Sequence, residues 1–134
     1  MSSNTDLWET PQDLFDNLDA QYRFTLDVCA IPQNVKCLRY YTPKQDGLLQ
    51  DWKGICWMNP PYGREIIKWV KKAYESSLVG TTVVALLPAR TDTVWFWEYV
   101  YHKAKITFVQ GRLKFGGGKG AAPLEPSFPF ANFF

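Results

Sequence analysis

The sequence predicts an α/β domain, a mostly parallel sheet with helices on both faces. Three observations carry that expectation. Thr82-Val83-Val84-Ala85-Leu86-Leu87-Pro88 is an apolar, β-branched run, the pattern of a strand buried on both faces. Ile55-Cys56-Trp57-Met58 is a second apolar run that reads as a short buried strand. Behind it, Arg64 to Leu78 carries Ile66, Ile67, Val70, Ala73, Tyr74 and Leu78 at helical spacing. Strands that alternate with helices build a sheet whose crossovers cover it.

The bulk numbers bound the answer. A chain of 134 residues makes one core, so a single domain over 1–134 is expected. With 46% hydrophobic and 16% aromatic residues, the chain folds rather than staying disordered. No apolar run approaches the ~20 residues of a membrane span. Met1-Ser2-Ser3-Asn4-Thr5-Asp6 lacks the basic and apolar regions of a signal peptide. The three cysteines, Cys29, Cys37 and Cys56, form no C-x-x-C pair, and His102 is the single histidine. Neither a disulfide framework nor a zinc site is expected from them, and no metal at all. A reduced, cytoplasmic protein is the expectation, with no membrane partner. The net charge of +2 implies no polyanion partner by itself. Yet Lys103, Lys105, Arg112, Lys114 and Lys119 succeed one another with no acidic residue between them. Such a stretch suits phosphate contact, and suits an ordinary solvated loop as well.

In chain order, Thr10 is a good N-cap, Pro11 fits the first helical position and Asp13 the acidic place of a capping box. The helix that follows carries Leu14, Phe15, Leu18 and Tyr22 on one side. Phe24 to Val28 reads as a strand, with Asp27 near its carboxyl end. Val35 to Tyr41 is read as a second strand, Lys44 to Gly47 as a turn, and Leu48 to Trp52 as one helical turn. After the 64–78 helix, Gly80 is placed as its terminating glycine. Asp92 or Thr91 is expected to cap a helix through Trp95, Phe96, Tyr99 and Val100. Ile106 to Val109 forms another strand, and Gly111 to Phe115 starts a hairpin arm. Gly116-Gly117-Gly118 is a break. Pro123, Pro126 and Pro129 predict irregular chain beyond it.

Asn59-Pro60-Pro61-Tyr62 is where the chemistry points. Two prolines end the 55–58 strand, so these residues stand at its carboxyl end, where α/β sheets place ligands. An amine conjugated to a ring is a poor nucleophile, because its lone pair is delocalised. A site that methylates such an amine must draw both of its hydrogens towards acceptors. The Asn59 side-chain oxygen and the Pro60 carbonyl can be those acceptors. Pro61 stiffens the loop, and Tyr62 offers a ring on which an extruded base can stack. A plain strand-to-helix turn with an incidental tyrosine is the competing account of these four residues alone.

The chain resembles the phage-type DNA adenine N6-methyltransferases along nearly its whole length. Six pieces carry the likeness: Trp8-Glu9-Thr10-Pro11, Leu26-Asp27-Val28-Cys29-Ala30, Asp46-Gly47-Leu48, Asn59-Pro60-Pro61-Tyr62-Gly63, Leu87-Pro88-Ala89-Arg90-Thr91-Asp92-Thr93 and Gly111-Arg112-Leu113-Lys114-Phe115. The resemblance implies a Rossmann-like methyltransferase fold, S-adenosylmethionine as cofactor and adenine in double-stranded DNA as acceptor. It implies that Asn59, Pro60, Pro61 and Tyr62 form the catalytic loop. For the donor it points to Thr10 and Pro11 at the methionine part, Asp27, Cys29 and Ala30 at the pocket entrance, and Asp46 at the adenine ring. For DNA it points to Arg90, Arg112, Lys114 and Lys119.

Two departures stand out. The turn Val28-Cys29-Ala30-Ile31-Pro32 has no glycine where many methyltransferases bring the donor against the backbone. The family likeness also implies a terminal hydrophobic strand at the sheet edge, whereas the proline-broken run 123–134 predicts an incomplete C-terminal hairpin with an exposed strand edge. Rival functions are the same chemistry on RNA or on a protein glutamine, and a non-catalytic nucleic-acid-binding module on a decayed methyltransferase fold.

Overall fold

The computed structural model describes residues 12–108 and the backbone of 129–133. Helix α1 spans Gln12–Tyr22 and strand β1 Leu26–Asp27. A 3₁₀ turn follows at Gly47–Leu49, then β2 at Ile55–Met58, α2 at Ile66–Leu78 and β3 at Thr82–Leu86. A π-helical turn at Phe96–Val100 leads to β4 at Lys105–Phe108, and β5 is Pro129–Phe133. The five strands form one sheet in the order β1-β2-β3-β5-β4. β1, β2 and β3 are parallel, and β5 is antiparallel to both β3 and β4. β4 therefore runs with the first three strands, and β5 alone is reversed. The mostly parallel sheet is as the sequence predicts.

Alternation along the strands divides the core between the two faces. Cys56, Met58, Val83, Ala85 and Leu87 pack with Ile66, Trp69, Val70 and Ala73 of α2, and with Trp95, Phe96 and Val100. Trp57, Val84 and Leu86 face the other way and pack against Phe15 of α1. The Phe15 ring meets Trp57 edge-on, with centroids 5.5 Å apart. A strand period of two thus meets one helix on each side, which covers both faces. α2 ends where Gly80 takes a φ of 100°, a left-handed conformation that glycine adopts without steric cost.

Several expectations need correcting. The 24–28 strand shrinks to Leu26–Asp27. The 35–41 segment makes no regular strand. Only Tyr40 bridges to Asp27, in parallel sense, supported by Tyr41 N–H to the Asp27 carbonyl at 3.0 Å and Ala30 N–H to the Tyr41 carbonyl at 2.8 Å. The reason is local: the Asp27 carboxylate captures the Lys36 N–H, and the chain bends at 37–39 before it can pair. The 48–52 helical turn is the 3₁₀ turn Gly47–Leu49, capped by Asp46. Neither Asp92 nor Thr91 caps the 96–100 turn with its side chain. Instead Thr93 donates its hydroxyl to the Arg90 carbonyl at 2.7 Å, and the Trp97 indole donates to the Thr91 carbonyl at 2.7 Å.

The largest correction concerns the C-terminal segment. Residues 129–133 are a regular strand, and it lies inside the sheet between β3 and β4, not at its edge. Pro129 is the first residue of that strand, the position where a missing N–H disturbs the ladder least. The hairpin arm at 111–115, the Gly116–Gly118 break and Pro123 and Pro126 lie outside the described residues. Among the described residues, no helix is long and apolar enough to cross a membrane.

Candidate functional site

β1 pairs with β2 on one side and touches Tyr40 on the other, so the chain order reverses at β1. In open α/β sheets such a reversal opens a crevice at the carboxyl ends of the strands. The Asn59–Tyr62 loop leaves β2 at that crevice. Pro60 is buried, while Asn59, Pro61 and Tyr62 are half-buried. The Tyr62 hydroxyl donates to the Asn59 side-chain oxygen at 3.1 Å and lies 3.4 Å from the Leu86 carbonyl at the end of β3. The loop closes into α2 with Ile66 N–H donating to the Gly63 carbonyl at 3.2 Å.

One cavity, of about 240 Å³, lies on the β1 side of this loop. Cys29, Ala30 and Asp46 line it together with Pro61, Glu65 and Trp69. The sequence-predicted donor residues Cys29, Ala30 and Asp46 are therefore brought together beside the loop. Asp46 holds a left-handed φ of 57°, and its carboxylate accepts from Leu48 N–H at 3.1 Å. That conformation is uncommon outside glycine, asparagine and aspartate, and here the side chain secures it by capping the 3₁₀ turn. Thr10 and Pro11 lie outside the described residues.

The contact between the 46–48 segment and the turn after β1 requires a glycine. A methyl group on Gly47 would be driven into the Val28 carbonyl oxygen and would lie 3.2 Å from the Trp69 ring. The 46–48 segment thus packs its backbone directly against the turn after β1. The Trp52 indole, stacked with Trp69 at 6.0 Å, donates to the Gly47 carbonyl at 2.8 Å and holds the arrangement.

Asp27 does not line that cavity. Its carboxylate is 2% exposed and turned into its own loop, accepting from Cys29 N–H at 3.2 Å and Lys36 N–H at 3.3 Å. Burial raises its pKa to about 6, against the lowering pull of those two hydrogen bonds and of the Lys36 charge. A carboxyl whose folded pKa is raised binds its proton more tightly when folded. Its contribution to stability is therefore present below about pH 4 and lost as pH rises through about 6. The loss is at most about 3 kcal/mol. Urea unfolding at about pH 4 and about pH 7 checks this, with Asp27→Asn as the non-titrating control. The variant should lose that part of the pH dependence; a variant that tracks the wild type at both pH values would contradict the assignment.

All three cysteines are free thiols. Burial pushes Cys37 and Cys56 up to about 12 and Cys29 higher still, so each holds its proton at neutral pH. A protonated thiol is a poor nucleophile. Among the described residues, no group of His, Cys, Asp and Glu is placed to hold a metal ion.

A second cavity, of about 440 Å³, lies on the other side of the loop. Tyr62, Gly63 and Arg64 form one wall, and Pro88, Arg90 and Trp95 the opposite one. Arg90 is the predicted nucleic-acid contact. Arg64 is not signalled by any motif. Arg112, Lys114 and Lys119 lie outside the described residues. Arg64 and Glu65 stand in the turn that enters α2, and Glu65 lines the first cavity while Arg64 lines the second. The 59–65 segment lies between the two cavities, with Asp46 and Glu65 among the lining of the smaller and Arg64 and Arg90 among that of the larger. The Glu65 carboxylate is paired with Lys68 Nζ at 2.9 Å.

Comparison with known proteins places the chain in a family. The family model for DNA N-6-adenine-methyltransferase (Dam) matches residues 1–125. A DNA N-6-adenine-methyltransferase of Haemophilus phage HP1 (strain HP1c1) is 36% identical over 110 residues, which cover 80% of this chain and 64% of that protein. A DNA N-6-adenine-methyltransferase of Escherichia phage T1 is 35% identical over 112 residues, covering 81% of this chain and 46% of that protein. The chain thus spans between about half and two thirds of the length of these two relatives.

Proposed function

Since this chain belongs to the DNA N-6-adenine-methyltransferase (Dam) family, we propose that it transfers a methyl group from S-adenosylmethionine to the N6 amine of adenine in double-stranded DNA, as one domain with a Rossmann-like methyltransferase fold. The observation that carries this reading is the partition: a single loop separates an acid-lined cavity from an arginine-lined one. A two-substrate transfer needs its reacting groups to meet at such a wall. The strand order, with parallel β1 to β3 and one reversed strand between β3 and β4, supports the Rossmann-like assignment.

The smaller cavity suits the donor. Its volume is about that of a purine nucleoside, and Asp46 in its wall matches a ligand that carries positive charge. When bound, S-adenosylmethionine supplies an already activated methyl group. Cys29 and Ala30 are small enough to let its adenosine part approach the chain, and Trp69 gives that part an aromatic wall. Thr10 and Pro11 are proposed at the methionine part. Asp27 acts indirectly, by holding the 28–36 loop in shape.

On the acceptor side, the Asn59 oxygen and the Pro60 carbonyl draw the two amine hydrogens, favouring a pyramidal nitrogen with an available lone pair. The Tyr62 ring offers a stacking surface inside the larger cavity. Because the methyl group arrives activated, positioning and polarisation are the residues' main contributions. Arg64 and Arg90 take phosphates beside the extruded adenosine, which favours a nucleic acid over a protein glutamine. Arg112, Lys114 and Lys119 extend that contact.

Replacing Arg64 and Arg90 together by Gln is expected to weaken binding to duplexes of any sequence. It should flatten the slope of log affinity against log salt by about 2, one phosphate for each cation. Affinity for S-adenosylmethionine, measured by calorimetry, should stay unchanged. An unaltered salt slope would remove the larger cavity from the DNA path.

A further inference from the structure

We propose that Tyr62 is a positioning residue as well as a stacking platform: its hydroxyl holds the Asn59 amide with the oxygen towards the acceptor amine. The inference rests on the reading of Asn59 as the amine's acceptor, and deepens it.

The two ends of an asparagine amide are nearly the same shape and opposite in chemistry. With its NH₂ end turned to the target, Asn59 would offer a donor to an amine that is itself a donor, and the site would not polarise it. Something must choose the end. The Tyr62 hydroxyl carries one hydrogen and has two acceptors in reach, the Asn59 oxygen at 3.1 Å and the Leu86 carbonyl at 3.4 Å. The hydrogen goes to the shorter contact, which sets the Asn59 oxygen against the hydroxyl. Given to the Leu86 carbonyl instead, it would leave the hydroxyl to accept from the Asn59 NH₂, so the orientation of the amide is tied to where the hydroxyl points.

The hydroxyl is itself well anchored. Leu86 ends β3, its side chain buried against Phe15 and Trp57, and pairs with residue 130 of β5. Tyr62 is half-buried and packs against both core clusters. Its hydroxyl end is therefore held by the sheet, while the ring also lines the larger cavity. A base stacked on that ring with its amine over the hydroxyl end would present the amine to the same Asn59 oxygen. An amide oxygen accepts from two directions, so a hydroxyl and an amine can share it. Sharing makes the oxygen a slightly weaker acceptor. Correct orientation of the amide outweighs this, because the reversed amide contributes no acceptor at all.

The test separates the ring from the hydroxyl. Tyr62→Phe keeps the ring, so KM for unmethylated plasmid DNA should stay within about twofold of wild type, while kcat falls about tenfold, the scale of one lost neutral hydrogen bond. Tyr62→Ala should raise KM as well, through lost stacking. A readout independent of turnover is the ¹⁵N side-chain amide signal of Asn59 in the free protein, which should move in Tyr62→Phe while the backbone spectrum of the core stays in place. A Tyr62→Phe protein with unchanged or faster kcat, or an Asn59 amide signal that does not move, overturns the proposal. Wild-type protein that transfers no methyl to DNA overturns the functional reading instead, and the proposal falls with it whatever the amide signal does.

Discussion

Asn59→Ala is expected to bind S-adenosylmethionine as the wild type does and to transfer methyl about 10²–10³ times more slowly. The separation follows from where Asn59 stands. Its side chain contacts Tyr62, which lines the arginine-bearing cavity, whereas the acid-lined cavity is walled by Pro61 and by residues from the 29–31, 41–48 and 65–69 stretches. Removing the amide deletes one of two acceptors for the amine hydrogens and leaves the donor's walls intact. The magnitude is that of one preorganised polar group lost from a water-poor site, as when an oxyanion donor is deleted. Calorimetry for the donor and initial rates with saturating DNA check both halves. A variant that turns over near the wild-type rate would remove Asn59 from the chemistry, and one that loses donor affinity would move it to the other side of the wall.

The second large effect is expected at Gly47. Gly47→Ala adds a methyl group where the Val28 carbonyl oxygen already stands, with the Trp69 ring 3.2 Å away. A backbone carbonyl of the loop after β1 cannot rotate aside as a flexible side chain can. Either the 3₁₀ turn or the loop after β1 must shift, and both line the donor cavity. Overpacking a filled site costs roughly 1–3 kcal/mol, and a backbone obstacle puts this substitution at the upper end. For a domain of this size that lowers the melting temperature by about 10 °C. Donor affinity should fall by at least about tenfold, because Asp46 and Leu48 move with the turn. Thermal melts with and without S-adenosylmethionine give both numbers. Near-normal melting and donor affinity would mean that the 46–48 segment does not approach the Val28 carbonyl closely.

What could be read in the amino-acid order was local. Ile55–Met58, the two prolines and the helical spacing after Arg64 are short-range signals, and they put Asn59 to Tyr62 at a strand end before any fold was known. The burial of Val83 to Leu87 was legible for the same reason, since a strand covered on both faces has no polar positions. What escaped depends on residues distant in the chain. Gly47 matters because Val28 comes to lie against it, and nothing around Gly47 announces that neighbour. Arg64 and Glu65 are adjacent in the chain yet serve different cavities, a division visible only once α2 is docked. Asp27 stands at the end of β1 as its position in the chain implies, whereas the two loop N–H groups its carboxylate accepts from are seen only in the fold. The strand at 129–133 is not legible from its prolines alone, because a proline breaks a strand in its interior but not at its start, where Pro129 stands. The 59–62 side-chain contact joins two residues of one motif, and the Leu86 carbonyl that competes for the same hydroxyl comes from a distant strand.

The most direct measurement follows the methyl group. The protein is incubated with S-adenosylmethionine bearing an isotopically labelled methyl, together with unmethylated duplex DNA, RNA and a protein extract, and each fraction is digested and analysed by mass spectrometry. The account predicts label in N6-methyladenine from the DNA alone, and none when Asn59→Ala replaces the wild type over the same interval. Label in RNA or on protein glutamine, or DNA that stays unlabelled while the wild-type protein binds the donor, would contradict it.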